Sequence, residues 1–358
     1  MAPRLKTRAI VVVFALFIAV PLLSGIAGVG TRSAEAEVSA EDAARMSGLR
    51  WLDYFDDHFP LRTALIHAHA LASMAMRVSP SPTVIRGRDG WLYYADDSAL
   101  DDYISAAPMS REELDDWRDT IVHTRDALRA MGIAYVFAVA PDKHVIYPEH
   151  MPSSIHRLRQ EYRLQELTDY LLETTDVSVV DLRRPLLEAK QREQVYFRTD
   201  THWDEAGAYI GYRELLLAAA TQLPSLEPAP RNAFQNTTAE WPGGDIAEML
   251  GLGRDIHEVA PVVRPANGWR AHVDEPADMS AAGFEVGRVV TSIADPKLPR
   301  LLMIRDSFGS GLIPFLSEHF SRAVYLWRPD VDMDDVKQER PTLVIQEVVG
   351  RRLQTYEP

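Results

Sequence analysis

A serine hydroxyl is a poor nucleophile at neutral pH unless a base stands beside it. One segment offers a serine in a setting that would favour such chemistry: Leu301-Leu302-Met303-Ile304-Arg305-Asp306-Ser307-Phe308-Gly309-Ser310-Gly311. A short apolar run leads into Ser307 and small residues follow it, the pattern of a strand turning into a helix at the carboxyl edge of a sheet, where open α/β sheets bind ligands. There the hydroxyl would stand clear of the sheet, and the N–H groups at the helix start would receive an oxyanion. Gly309 and Gly311 would let a substrate approach closely. A serine that merely caps the helix fits the same residues equally well.

The base comes from Thr199-Asp200-Thr201-His202-Trp203. In an extended turn, residues two apart share a side, so Asp200 can accept a hydrogen bond from His202 and fix its tautomer, leaving the other ring nitrogen for Ser307. Taken alone, an Asp-x-His of this kind is more often a surface turn or a cap. The other histidines carry less. His67 and His69 fall on a helix pattern, where positions two apart diverge and would not chelate one metal. His144, His150 and His156 surround a proline-bounded loop without a metal-ligand spacing, and His58 and His319 read as helix-surface residues.

These blocks need elements to hold them. Residues 51–76 read as a helical segment bent at Pro60, and 84–94 as a short hairpin turning through Gly87 and Gly90. Ser110 and Glu113 form a capping box for a long amphipathic helix that runs to about Met131 and stops at Gly132. Beyond it, apolar runs at 133–139, 177–182, 195–197, 301–304, 324–327 and 343–349 alternate with helical stretches near 157–174, 185–193, 205–223 and 309–320. Such alternation predicts an α/β fold with a largely parallel sheet covered by helices. Residues 224–299, rich in proline and glycine, read as an irregular insertion with short strands near 259–263 and 286–292.

The whole chain narrows the classes further. Its 358 residues, 46% of them hydrophobic, can bury a full core, and its formal charge of −14 without a basic patch argues against a nucleic-acid partner. The lack of cysteine excludes disulfides, thiolate metal sites and cysteine nucleophiles. At the N-terminus, Arg4, Lys6 and Arg8 precede an uncharged stretch from Ala9 to Gly30, closed by Arg32. About 20 such residues suffice to span a bilayer as a helix. Basic residues on the short side predict a cytoplasmic stub and signal anchor over 1–32, a linker over 33–48, and export of everything beyond. Ala34-Glu35-Ala36 keeps open the alternative of a cleaved signal peptide and a secreted product.

With these residues in view, the chain resembles the SGNH-hydrolase-like alginate O-acetyltransferases and their relatives in polysaccharide acetylation. The likeness is spread over Asp53 to Arg62, Gly87-Arg88-Asp89-Gly90-Trp91-Leu92-Tyr93, Pro141-Asp142-Lys143-His144 to Glu149, Asp200-Thr201-His202-Trp203, Gly244-Asp245-Ile246-Ala247-Glu248-Met249-Leu250 and Asp306-Ser307-Phe308. It implies a flavodoxin-like, mostly parallel sheet with helices on both faces over 49–358. It also implies circularly permuted catalytic blocks in which the Asp–His pair precedes the serine. Ser307, His202 and Asp200 carry over as a triad that needs neither cofactor nor metal. Arg305 departs from the family, whose members often have a smaller residue there, and a side-chain oxyanion donor is missing unless Asn232 or Asn236 supplies it.

The implied activity is transfer of acetyl groups to a polysaccharide through an acetyl-serine, outside the cytoplasm. A separate multispanning membrane O-acyltransferase would bring the acetyl group from the cytoplasmic acetyl-CoA pool. Candidate substrate contacts are Lys143 for a polyanionic acceptor, Arg305, and Tyr147 and Trp203 as sugar-stacking rings alongside Trp91 and Tyr93, although each ring fits core packing as well. A carbohydrate acetylesterase with the same triad, and a non-catalytic scaffold of a polysaccharide assembly complex, are the competing readings.

Overall fold

The structure, a computed structural model, describes residues 62–276, 278–279 and 285–355. The proposed membrane anchor, the linker and the segment from Asp53 to Leu61 lie outside them. Among the described residues no helix is long and apolar enough to cross a membrane. The chain divides into two compact units, Met1–Pro80 and Ser81–Pro358. In the first, α1 (Arg62–Ala75) carries His67 and His69 on diverging positions, and His69 Nε2 lies 3.4 Å from Ser73 Oγ one turn on.

The second unit opens with an antiparallel hairpin, β1 (Val84–Arg86) and β2 (Leu92–Tyr94). Its turn places Asp89 and Gly90 at φ 54° and 83°, a conformation for which glycine carries no Cβ penalty. After α2 (Ala99–Ile104) comes α3 (Arg111–Ala130), whose capping box is complete: Ser110 Oγ accepts from Glu113 N–H and the Glu113 carboxylate accepts from Ser110 N–H. Gly132, at φ 73°, ends the helix turn and releases the chain into β3 (Ala134–Ala140). Then follow α4 (Lys143–Ile146), α5 (Arg163–Thr174), β4 (Ser178–Asp181), α6 (Arg183–Ala189) and α7 (Glu205–Ala220). The helix expected from about 157 starts only at Arg163, because Arg157 instead lays its guanidinium 3.8 Å from the centroid of the Tyr162 ring.

The segment 224–299 is more regular than its composition predicts. β5 (Phe234–Pro242) and β6 (His257–Pro265) pair along their full lengths as an antiparallel ribbon, with α8 (Asp245–Met249) in the connection. β7 (His272–Glu275) follows, then the two-residue strands β8 (Asp278–Met279) and β9 (Glu285–Val286), then β10 (Arg288–Ser292). The chain ends through β11 (Arg300–Arg305), a 3₁₀ turn over Phe308–Leu312, α9 (Ile313–Ser317), β12 (Arg322–Trp327), α10 (Met333–Glu339) and β13 (Leu343–Val349).

The main sheet runs β4-β3-β13-β11-β12-β10-β7. Its first five strands are parallel, whereas β10 is antiparallel to both β12 and β7. The sheet is therefore mixed, and the segment read as an insertion supplies its antiparallel edge. β3 and β13 are buried at every residue, which requires cover on both faces, and both α3 and α7 pack on β3. Val195–Phe197 does not form a strand: Tyr196 makes a single bridge to Trp203, and the chain reverses between them.

Candidate active site

The reversal from Phe197 to Trp203 places Asp200 and His202, and Lys143, Glu258 and Gly244 hold it. Lys143, from α4, points its ammonium at three carbonyl oxygens of the loop, Phe197 (3.2 Å), Arg198 (3.1 Å) and Asp200 (2.6 Å). Glu258, from β6, accepts from the N–H groups of Arg198 and Thr199 at 2.6 and 3.0 Å and from the Thr199 hydroxyl. Gly244 lies against Asp200 so closely that a Cβ there would fall 2.3 Å from the Asp200 Cβ. The pair of glycines at 243–244 thus serves backbone approach, and delivers Asp245 to the site.

Asp200 Oδ1 accepts from His202 Nδ1 at 2.7 Å and from the His202 backbone N–H at 2.9 Å, so the aspartate fixes both ring and main chain. Its other oxygen accepts from Asp245 N–H at 3.0 Å. Burial alone would push the Asp200 carboxyl up, but the charge and hydrogen bonds of His202 carry it well below the ordinary carboxylate range. His202 is the mirror case: burial disfavours its charged form, yet Asp200 and then Asp245 raise its affinity for a proton. Asp245 Oδ2 lies 3.6 Å from His202 Nδ1 and accepts from the Thr201 hydroxyl at 2.5 Å.

Ser307 follows β11 at the carboxyl end of the parallel strands, as its sequence context predicts. Its neighbours are buried and tied: Asp306 Oδ1 accepts from Phe308 N–H at 2.9 Å, and Oδ2 accepts from Val349 N–H at 2.7 Å. Glu347 accepts from Asp306 N–H at 3.3 Å, and burial, with the charge of Asp306, pushes its carboxyl well above the usual range. The expected long helix after Ser307 is a 3₁₀ turn followed by α9 with Pro314 in its first turn, so no extended helix dipole points at the serine.

The two blocks, some hundred residues apart in the chain, meet through Phe308. Its ring lies 4.9 Å from the His202 ring and 5.2 Å from Trp203, centroid to centroid. His202 Nε2 is buried and has no hydrogen-bond partner among the described residues.

The other candidate residues sit elsewhere than expected. Lys143 is 4% exposed, and burial pulls its ammonium down to about 8; it anchors a loop and faces no solvent. Arg305 is completely buried, donating to Asp306 O and Ser310 Oγ at 3.0 and 2.8 Å beneath the serine turn. Tyr147 and Trp203 are core residues, as are Trp91 and Tyr93. Tyr147 Oη accepts from Val195 N–H, and Trp203 fills the space left by Gly311, where a Cβ would lie 2.7 Å from its Nε1. Gly309 likewise makes room for the Arg305 side chain. Both glycines serve internal packing, not substrate approach. Asn232 and Asn236 are exposed and make no hydrogen bond to the serine turn.

His319, His150 and His144 find partners inside the protein. His319 is hydrogen-bonded to Tyr212, and His150 stacks on Trp91. His144 bonds Asp102 at 2.9 Å, with Asp142 close by. That group and Asp200–His202–Asp245 each bring potential metal-ligand atoms within 4.8 Å of one another. In both, however, the carboxylates already serve hydrogen bonds: Asp142 binds the backbone and guanidinium of Arg351, and Asp200 binds His202.

An Asp–His pair and a serine turn at the carboxyl edge of a helix-covered sheet define an SGNH hydrolase-like domain. A family model described as SGNH hydrolase-like domain, acetyltransferase AlgX, matches residues 84–328, and the chain belongs to that family. It is 28% identical over 327 residues to a Pseudomonas fluorescens protein described as "Probable alginate O-acetylase AlgJ", covering 87% of this chain and 79% of the relative. A Pseudomonas syringae pv. tomato protein of the same description is 27% identical over 315 residues, covering 84% and 76%. Among solved structures, Bacillus cereus PatB1 with a sulfonyl adduct superposes with a TM-score of 0.56 at 17% identity, covering 75% of this chain and 97% of that one.

Proposed function

We propose that this protein is an O-acetyltransferase that moves acetyl groups to hydroxyls of a polysaccharide through an acetyl-Ser307 intermediate. The observation that carries the reading is the His202 ring. Asp200 fixes it at Nδ1, Phe308 packs on its face, and its Nε2 is left unpaired beside the serine turn. In unliganded sites the contact between base and nucleophile often forms only with substrate bound.

In the first half-reaction His202 Nε2 takes the Ser307 proton as Oγ attacks the acetyl carbonyl. The tetrahedral intermediate then expels the donor's oxygen or sulfur, which collects the proton from His202. In the second, His202 takes the proton of a sugar hydroxyl as that oxygen attacks the acetyl-serine, and Ser307 leaves with the proton returned. Phe308 N–H is engaged by Asp306, which leaves the Ser307 and Gly309 N–H groups as the turn's oxyanion donors. The triad must favour a bound sugar hydroxyl over water by orientation and high effective concentration.

Family membership and the likeness to proteins described as alginate O-acetylases support acetyl transfer to a polysaccharide. The basic-then-apolar N-terminus supports a membrane anchor with the catalytic unit on the extracytoplasmic side. A single anchor cannot carry an acetyl group across the bilayer, so a multispanning membrane acyltransferase is the fitting donor partner.

The test uses the exported portion with a chromogenic acetyl ester, with and without an oligosaccharide acceptor. Wild type should release the alcohol and yield acetylated sugar, and a sulfonyl fluoride should add mass at Ser307. Acetate as the sole product at saturating acceptor would make the protein an esterase. Undiminished turnover in Ser307→Ala would end the reading.

A further inference from the structure

One acidic side chain in contact with the dyad has no role in a Ser–His–Asp scheme. Asp245 opens α8, in the connection between β5 and β6, yet its carboxylate reaches the Nδ1 side of the His202 ring. It is held there from both ends. Oδ1 accepts from Thr201 N–H at 2.7 Å, Oδ2 accepts from the Thr201 hydroxyl at 2.5 Å, and its own N–H donates to Asp200 Oδ2 at 3.0 Å. The Thr201 oxygen lies 3.1 Å from His202 Nδ1, so it bridges the second carboxylate to the ring. Thr201 is buried, whereas the side chains of His202, Asp200 and Asp245 are partly exposed.

We propose that Asp245 is a second positioning carboxylate for His202, acting through Thr201 to hold the Nδ1 side of the ring and to place additional negative charge beside it. The proposal rests on the reading of Ser307, His202 and Asp200 given above. An imidazole clamped at Nδ1 by two carboxylates keeps Nε2 as the proton-accepting nitrogen in a single orientation. It is also a stronger base, because the imidazolium formed as Ser307 loses its proton faces two acids.

Other charges bear on the ring. Arg351, anchored by Asp142 behind Phe308, opposes its protonation. Lys143 and Glu258 grip the loop carrying Asp200 without touching the ring. Burial, and after it the charge of Asp200, pushes the Asp245 carboxyl above its ordinary range.

The experiment compares wild type, Asp245→Asn and Thr201→Val by the pH profile of kcat/KM and by NMR titration of the His202 ring, with Ser307→Ala as control. Removing the Asp245 charge, within about 4 Å of the ring, should lower the His202 midpoint by about one pH unit. The acid limb of kcat/KM should move down equally while the plateau falls roughly tenfold. Thr201→Val should show the same trend more weakly, which a loss of folding would not produce. An unchanged His202 midpoint in Asp245→Asn overturns the proposal. Should Ser307→Ala remain active, the triad reading fails, whereas the NMR titration still reports whether Asp245 acts on His202.

Discussion

Replacing Lys143 with methionine separates two roles that sequence alone leaves open, an acceptor contact and a buried anchor. The side chain is buried and its three donors meet the carbonyls of Phe197, Arg198 and Asp200. Methionine keeps the length of the stem and abandons all three oxygens. Arg198 O keeps the Leu92 N–H at 2.8 Å, so two carbonyls lose their donor; at about 1–3 kcal/mol for each orphaned acceptor the loss is roughly 4 kcal/mol at mid-range. Against this, the variant no longer buries an ammonium. Its fall from an ordinary 10.5 to about 8, at about 1.4 kcal/mol per pH unit, is a cost of about 3 kcal/mol that disappears. The net expectation is destabilisation by about 1 kcal/mol, a drop in Tm of roughly 2–4 °C for a unit of this size. Turnover should fall with it, because the carbonyl of Asp200 is among the three and the Asp–His geometry depends on that loop. Thermal unfolding and esterase kinetics on the same preparation decide the matter. A Tm within about 1 °C of wild type, with KM raised and kcat intact, would mean that Lys143 meets the acceptor and that the anchoring argument is wrong.

Three further outcomes follow from buried groups. The unfolded chain protonates Lys143 up to about 10.5 and the folded protein only up to about 8, so this group makes wild-type stability rise with pH across that window; the rise should be absent in Lys143→Met, as read by denaturant unfolding from pH 7.5 to 10.5. Tyr212 Oη accepts from Ala229 N–H and so gives its own proton to His319 Nε2, and burial holds the imidazole down to about 4. Because an unfolded histidine takes up its proton near 6.5, this group's contribution is complete above 6.5 and is lost as pH falls toward 4, about 3 kcal/mol in all; His319→Gln should flatten that part of the stability curve. Gly311→Ala would put a Cβ 2.7 Å from Trp203 Nε1 and 3.3 Å from Ala208 Cβ, and should cost about 1–3 kcal/mol by overpacking, with Tm and turnover both lowered.

Sequence carries best what short-range chemistry determines. The capping box at Ser110, the stop at Gly132, the apolar runs of β3, β11 and β13, and the Asp-x-His geometry each depend on neighbours within a few residues, and each stands in the structure as read. What escapes is the partner delivered from far along the chain. Lys143 looks like a solvated cation until its ammonium is seen to close on carbonyls more than fifty residues away. The glycines at 309 and 311 look like room for a ligand, yet Arg305 and Trp203 occupy that room. The proline-rich stretch from 224 to 299 has no periodicity to read, because its ribbon is largely exposed along β5 and so lacks the apolar alternation that marks a half-buried strand. That same stretch brings Glu258 and Asp245 to the Asp200–His202 loop. The one local trace was Gly243-Gly244 ahead of an acid, since paired glycines mark a close backbone approach and the acid beyond them is carried to whatever is approached. A chain whose candidate catalytic blocks are far apart therefore writes the proposed nucleophile and base in local code, and leaves the groups that hold them in register to residues whose types give no sign of their task.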